Sequence, residues 1–297
     1  MSNIAPQTSG TSTSQTRPSG GVPPVQLADG AIMPTLGMGV WEVEPNITAR
    51  VVGDGIKAGF RLIDTAEGYH NEEGVGEAIR QAEVSRDELF ITSKLRNGAH
   101  SRDEALKAFD ATMKALGLER LDLFLIHWPV PTQGKYVEAW KTLIELRDQG
   151  RVTSIGVANF NIPHLERIIE ETGVAPVVDQ IELHPYLPQL EQRDAIRQRD
   201  IHIESYSPLG HGDVLKDATI GAIAQKHRKS PAQVIIRWHL QQGLIVIPRS
   251  VHAERLAENI DVFDFELTDN EMRMLSSLGK GEAGRTGSDP ATASFLF

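Results

Sequence analysis

The sequence predicts an α/β protein, a (β/α)₈ TIM barrel entered through an N-terminal β-hairpin, with a C-terminal loop over the barrel mouth. Three observations predict it. Short apolar runs alternate with helical segments along most of the 297 residues, and eight of these runs read as strands. Two of them, LDLFLI at 121–126 and LIVI at 244–247, are continuously apolar, as parallel strands covered on both faces must be. Polar candidates at strand ends recur about every 31 residues, the period of eight units in about 250 residues. The alternative is an open doubly wound sheet, but no G-x-G-x-x-G follows any strand. GVGEAI at Gly74 is the nearest approach and opens no phosphate loop. Walker A, H-E-x-x-H and G-x-S-x-G strings do not occur either.

Taken in order, residues 1–21 are rich in Ser, Thr, Gly and Pro and nearly free of large apolar side chains. Such a segment cannot bury enough surface to offset its ordering entropy, so a disordered tail is expected. Asp29-Gly30 then sits between short apolar runs, where it suits a two-residue hairpin turn with positive φ. The barrel, residues 22–280, follows, with strands expected at 35–37, 61–63, 89–93, 121–126, 153–157, 177–181, 202–205 and 244–247. The helices between them are punctuated. Ser101 and Glu104 form a capping-box pattern, an apolar stripe runs through Leu106, Phe109, Met113 and Leu116, and Gly117 stops the helix. Ser230, Pro231 and Gly243 mark the start, first turn and end of another. Residues 281–297 form a C-terminal tail of small residues with an apolar tip, Phe295, Leu296 and Phe297. A substrate lid and a frayed terminus both fit that composition.

Composition narrows the function. Forty acidic against thirty basic residues give a net charge of −10, which argues against a general nucleic-acid or membrane-surface binder. Zero cysteines exclude disulfides, a thiol nucleophile and zinc-thiolate sites, and no metal is expected. No apolar run reaches about 18 residues, and the N-terminus lacks a signal-peptide stretch, so the expected location is cytoplasmic.

Barrel catalysis draws residues from the C-terminal ends of several strands. Asp64, Lys94, His127 and Asn159 stand at expected strand ends, separated by 30, 33 and 32 residues, and Tyr69 lies five past Asp64. Each alone has an ordinary reading: a helix cap, a solvated lysine, a packed histidine. Together they describe a general acid aimed at a carbonyl oxygen. A phenol, ordinarily titrating near 10, would be lowered by the Lys94 ammonium, Asp64 would hold that ammonium charged, and a neutral His127 would donate to the substrate. Spacing alone does not identify the reaction.

The string GFRLIDTAEGYHNEEGVG at 59–76 resembles the first signature of the aldo-keto reductases. ITSKL resembles that family's lysine motif, LIHWP its histidine motif and SIGVANF its nicotinamide-amide loop. QIELHPYL, SYSPLG and IPRSVHAERLAEN follow in family order, so the likeness spans residues 25–278 and is nearest to bacterial 2,5-diketo-D-gluconate reductase-type enzymes. The resemblance implies Asp64, Tyr69, Lys94 and His127 as a catalytic tetrad, with Asp64 also bordering the cofactor. It implies Asn159 and Gln180 as partners of the nicotinamide carboxamide, Tyr206 stacked on its ring, and Ser207, Pro208 and Leu209 along the pyrophosphate. Arg249, Ser250, Val251, His252, Arg255, Glu258 and Asn259 would form the adenosine-phosphate site. Gly39, Val40 and Trp41 would lie under the nicotinamide, and Trp41, Tyr69, Arg96, His127 and Trp128 would meet the substrate. Without the motif, the arginines would be solvated charges and the tryptophans core. Three departures stand out: Ala158 where relatives have serine, Arg96 where many have tryptophan, and His252 where close relatives have arginine or a small polar residue.

The expected activity is therefore NADPH-dependent reduction of aldehydes or ketones to alcohols, with NADPH preferred over NADH, by a monomer acting on small molecules. The competing readings are a Schiff-base lyase or aldolase using Lys94, and a non-catalytic, cofactor-binding regulatory subunit.

Overall fold

In a computed structural model, residues 21–297 are described. The expected disordered tail, all but Gly21, lies outside the described residues. Strands β1 (Pro24–Gln26) and β2 (Ile32–Pro34) pair antiparallel. Their connection is not the two-residue turn the Asp-Gly pair suggests. Gly30 alone has a left-handed φ, 90°, its N–H bonds Leu27 O at 2.9 Å, and Leu27 pairs with Ala31, which makes a three-residue loop. Asp29 instead accepts the Ala31 N–H through its side chain, at 3.1 Å.

Eight parallel strands follow: β3 (Met38–Gly39), β4 (Leu62–Asp64), β5 (Phe90–Leu95), β6 (Leu121–Ile126), β7 (Val152–Ala158), β8 (Val178–Glu182), β9 (His202–Tyr206) and β10 (Ile245–Val246), each hydrogen-bonded to the next. The first lies later than the expected 35–37, because residues 35–37 perform another task. Gly37 N–H donates to Val246 O and Val246 N–H to Thr35 O, both at 2.9 Å, so this segment joins β10 and closes the barrel. Helices α1 (Pro45–Ala58), α2 (Glu72–Gln81), α3 (Arg102–Leu116), α4 (Tyr136–Asp148), α5 (Ile162–Thr172) and α6 (Leu190–Arg197) take the crossovers through β9. Helices α7 (Ala218–His227) and α8 (Pro231–Gln241) precede β10, and α9 (Ala253–Ile260) and α10 (Asp269–Ser276) follow it.

The alternation of side chains along each strand divides the core. Outward residues such as Ile63, Phe124 and Ile155 pack against the helices. Inward Leu62, Phe90, Leu123, Val178 and Ile245 fill one end of the barrel with Leu27 and Met33 of the hairpin, which plugs it. Caps follow the sequence with one exception. The box at α8 forms, with Gln233 N–H on Ser230 Oγ at 3.3 Å and Ser230 N–H on Gln233 Oε1 at 2.9 Å. At α3 the Ser101 hydroxyl donates to the Glu104 carboxylate instead of capping a backbone N–H. Among the described residues, no helix is long and apolar enough to cross a membrane.

Candidate active site

The open end of the barrel gathers the polar residues. Asp64 ends β4, Lys94 points inward from β5, His127 and Asn159 follow β6 and β7, Gln180 lies on β8 and Tyr206 ends β9. Tyr69 closes a single 3₁₀ turn, Glu67–Tyr69, after β4. Lys94 is fully buried, and its Nζ has three partners: Asp64 Oδ1 at 2.6 Å, Thr65 O at 3.0 Å and the Tyr69 hydroxyl at 3.3 Å. The rings of Tyr69 and His127 meet edge to face, centroids 5.5 Å apart.

Burial decides the electrostatics. Burial alone would depress the Lys94 ammonium, but Asp64, Tyr69 and Glu204 together raise its pKa above the ordinary value, so it stays charged. Burial, then the Lys94 charge, lowers His127 well below the usual imidazole range, so it is neutral at pH 7. Tyr69 departs from the sequence-based expectation. Lys94 does pull the phenol down, yet burial outweighs it and Asp64 adds to the rise, so the net shift is upward.

The amide side is equally ordered. Asn159 takes a left-handed φ of 62°, which asparagine tolerates better than most residues. Its Nδ2 donates to His127 O at 3.0 Å, and its Oδ1 accepts from the Tyr206 hydroxyl at 2.7 Å. Ala158 beside it offers no hydroxyl. Gln180 Nε2 donates to two buried carboxyls, Asp64 at 2.8 Å and Glu204 at 2.7 Å.

A cleft of about 1230 Å³ runs across this floor. Gly39, Trp41, Asp64, Tyr69, His127, Trp128, Asn159, Gln180, Tyr206, Ser207, Pro208 and Leu209 line it, and Arg249, Ser250, Val251, His252, Arg255, Glu258 and Asn259 line its far end. Lys94 lies buried beneath the floor, and two residues expected to meet cofactor or substrate do not line the cleft. Val40 is fully buried in the outer core, because the strand period turns it away from the barrel interior. Arg96 lies outside the cleft with its Nε on Glu67 Oε1 at 3.1 Å, an ion pair that draws it aside.

The C-terminal segment contributes residues that the sequence reading did not assign. Glu182, which ends β8, accepts from Thr286 N–H at 2.7 Å, Thr286 Oγ1 at 2.6 Å and Gly287 N–H at 2.9 Å. Burial raises that carboxyl, but His184 and these donors hold it down to about 2. Past this latch, Phe295 meets Trp128 at 5.2 Å and Phe297 meets His127 at 5.1 Å, both edge to face. Asn97 Nδ2 donates to Phe295 O at 3.0 Å, and a Cβ on Gly68 would collide with the Phe297 ring. Period-two spacing was the available signal: Glu182 lies two past Gln180 and Glu204 two before Tyr206, each pair facing inward.

Comparison with known proteins agrees with this geometry. The model of the aldo/keto reductase family matches residues 33–280. An aldo-keto reductase of Mycolicibacterium smegmatis is 50% identical over 273 residues, 92% of this chain and 98% of that protein. Methylglyoxal reductase DkgA of Escherichia coli is 47% identical over 268 residues, 90% of this chain and 96% of that one. Among solved structures, an aspartate-to-alanine mutant of Gox0644 in complex with NADPH is 50% identical with a TM-score of 0.89, covering 92% of this chain and 99% of that chain. With the family model spanning most of the barrel and the polar cluster standing at its mouth, this chain belongs to the aldo/keto reductase family.

Proposed function

We propose that this protein reduces aldehyde and ketone carbonyls to alcohols with NADPH, in preference to NADH, using Tyr69 as the general acid. The observation that carries the reading is the Lys94 ammonium, fully buried between the Asp64 carboxylate at 2.6 Å and the Tyr69 hydroxyl at 3.3 Å. A cation in that position stabilises a phenolate that has given up its proton.

The cleft suits the cofactor. Gln180 lines it with its amide nitrogen committed to Asp64 and Glu204, Gly39 brings backbone to its wall without a side chain, and Arg255 at the far end has no side-chain partner among the described residues. The reduced nicotinamide, when bound, supplies a hydride to the carbonyl carbon. The protein does the rest. Tyr69 O–H protonates the carbonyl oxygen, neutral His127 donates a hydrogen bond to that oxygen, and Lys94 steadies the phenolate while Asp64 keeps Lys94 charged. Arg249, Ser250 and Arg255 would read the 2′-phosphate that distinguishes NADPH from NADH.

Trp41, Trp128, Phe295 and Phe297 wall the substrate end with aromatic surface, so the C-terminal tail acts as a substrate lid. The methylglyoxal reductases among the relatives point to small 2-oxoaldehydes as the first substrates to try. A monomer working on small molecules in the cytoplasm completes the reading. The Schiff-base alternative requires a free amine, which the Asp64 pairing denies to Lys94. The test follows NADPH oxidation at 340 nm over a panel of aldehydes, ketones and 2-oxoaldehydes. No turnover with any of them, or a borohydride-trapped adduct on Lys94, would sink the proposal.

A further inference from the structure

Strand β9 carries Tyr206 and also Glu204, whose carboxyl is fully buried inside the barrel. Its Oε2 accepts from Gln180 Nε2 at 2.7 Å, and its Oε1 has no partner among the described residues. The same Gln180 nitrogen donates to Asp64 Oδ2 at 2.8 Å. A primary amide has two N–H hydrogens on one side and a carbonyl oxygen on the other. Here both hydrogens are committed to carboxyls inside the barrel. Turning the amide over would set its oxygen against two acceptor oxygens and abandon both bonds, so the carbonyl oxygen is left facing the cleft that Gln180 lines.

We propose that Glu204 is a positioning residue for the nicotinamide end of the cofactor. Together with Asp64 it clamps the Gln180 nitrogen, and the clamp presents the Gln180 carbonyl oxygen to the cofactor's carboxamide NH₂. The inference rests on the reading of Gln180 given above. Asp64 alone is a weaker clamp, because its other oxygen is taken by Lys94 and one bond leaves the second amide hydrogen uncommitted. Burial and the neighbouring Asp64 push the Glu204 carboxyl up to about 8. At pH 7 it is therefore the neutral member, and it orients the amide without opposing the Asp64 charge that Lys94 needs.

The experiment measures binding, not turnover. NADP⁺ and its 3-acetylpyridine analogue, which has an acetyl group in place of the carboxamide and so lacks the NH₂ donor, are titrated against tryptophan fluorescence. The proteins are wild type, Glu204→Leu, Glu204→Gln and Gln180→Ala. Loss of one oriented hydrogen bond should weaken NADP⁺ by about 3–10-fold in Glu204→Leu and leave the analogue unchanged. Glu204→Gln should stay within about twofold of wild type, since an amide oxygen in the same place accepts the same hydrogen. Gln180→Ala should lose NADP⁺ selectively, like the leucine variant. If Glu204→Leu does not fold by its melting curve, Glu204→Met, closer in shape, carries the test. Equal losses for both cofactors, no loss for either, or a Glu204→Gln loss as large as that of the apolar variant would overturn the clamp. Equal losses for the two cofactors in Gln180→Ala, or no loss for either, remove the role of Gln180 and the proposal with it. Selective loss in Gln180→Ala beside an unchanged Glu204→Leu removes the clamp alone.

Discussion

The two ends of the cleft are built on opposite principles. At the barrel floor, Asp64, Lys94 and Gln180 are almost wholly removed from solvent, and their charges and amides meet named partners from four different strands. At the far end, Arg249, His252, Arg255 and Glu258 sit exposed on the loop and first turns after β10. Arg249 reaches Glu42 at 2.8 Å, while the Arg255 guanidinium has no partner among the described residues. The physical difference is dielectric. A charge in the floor interacts strongly and cannot reorganise, so it can tune a proton. A charge on the rim is screened and mobile, so its contribution arises on meeting a ligand dianion.

If that division holds, the largest effects belong to the floor. Tyr69→Phe should lower kcat by about 10²–10⁴-fold with NADPH affinity nearly intact, and Lys94→Met should do comparable damage. Stopped-flow turnover together with a fluorescence titration measures both quantities. Near-wild-type kcat in Tyr69→Phe would remove the acid from the floor and break the contrast.

The rim should show the converse. Arg255→Ala should cost roughly 10–100-fold in NADPH affinity, barely change that for NADH, and leave kcat at saturating cofactor unaltered. Added salt should weaken NADPH in wild type more than in Arg255→Ala, because exposed charges are screened over about 10 Å at 0.1 M. Equal losses for the two cofactors would take the phosphate away from Arg255.

The buried floor also leaves a trace in stability. His127 is held well below the usual imidazole pKa, and His100, buried within the loop between β5 and α3, is lowered to about 4 by that burial. Folding disfavours the protonated ring, so the unfolded chain binds these protons first. Stability is therefore full above the unfolded value of about 6.5 and declines as pH falls toward the folded values, by about 1.4 kcal/mol per histidine per pH unit. Chemical denaturation at pH 7.5 and 5.5 should show the decline, and His100→Asn should make it shallower. A midpoint indifferent to pH over that interval would contradict the burial argument.

The smallest effect should come from the tip of the tail. Removing residues 295–297 takes away rings that touch Trp128 and His127 but leaves the Glu182 latch on Thr286 and Gly287. The order of kcat/KM across aromatic and small aldehydes should change by severalfold, with NADPH affinity unmoved. Unaltered constants over the whole panel would rule out the lid.

Much of this molecule is decided by local chemistry, and for that reason it is legible in the chain. Continuously apolar strands such as Leu121–Ile126 need cover on both faces, and Ser230-Pro231 can begin a helix wherever it lies. The repeat of polar residues at strand ends brings Asp64, Lys94 and His127 to one mouth because a barrel converts a linear period into a ring. What the chain could not disclose depends on partners distant in sequence. Arg96 belongs to Glu67, 29 residues away, and that contact has no local signature. The net upward shift of Tyr69 is a contest between burial and Lys94 that only the folded distances decide. The same holds for Glu182 on the tail, 104 residues away, and for Glu204 sharing one amide nitrogen with Asp64. Periodicity says which face a side chain takes; only closure of the barrel says what it meets there, and burial then sets how strongly it is felt.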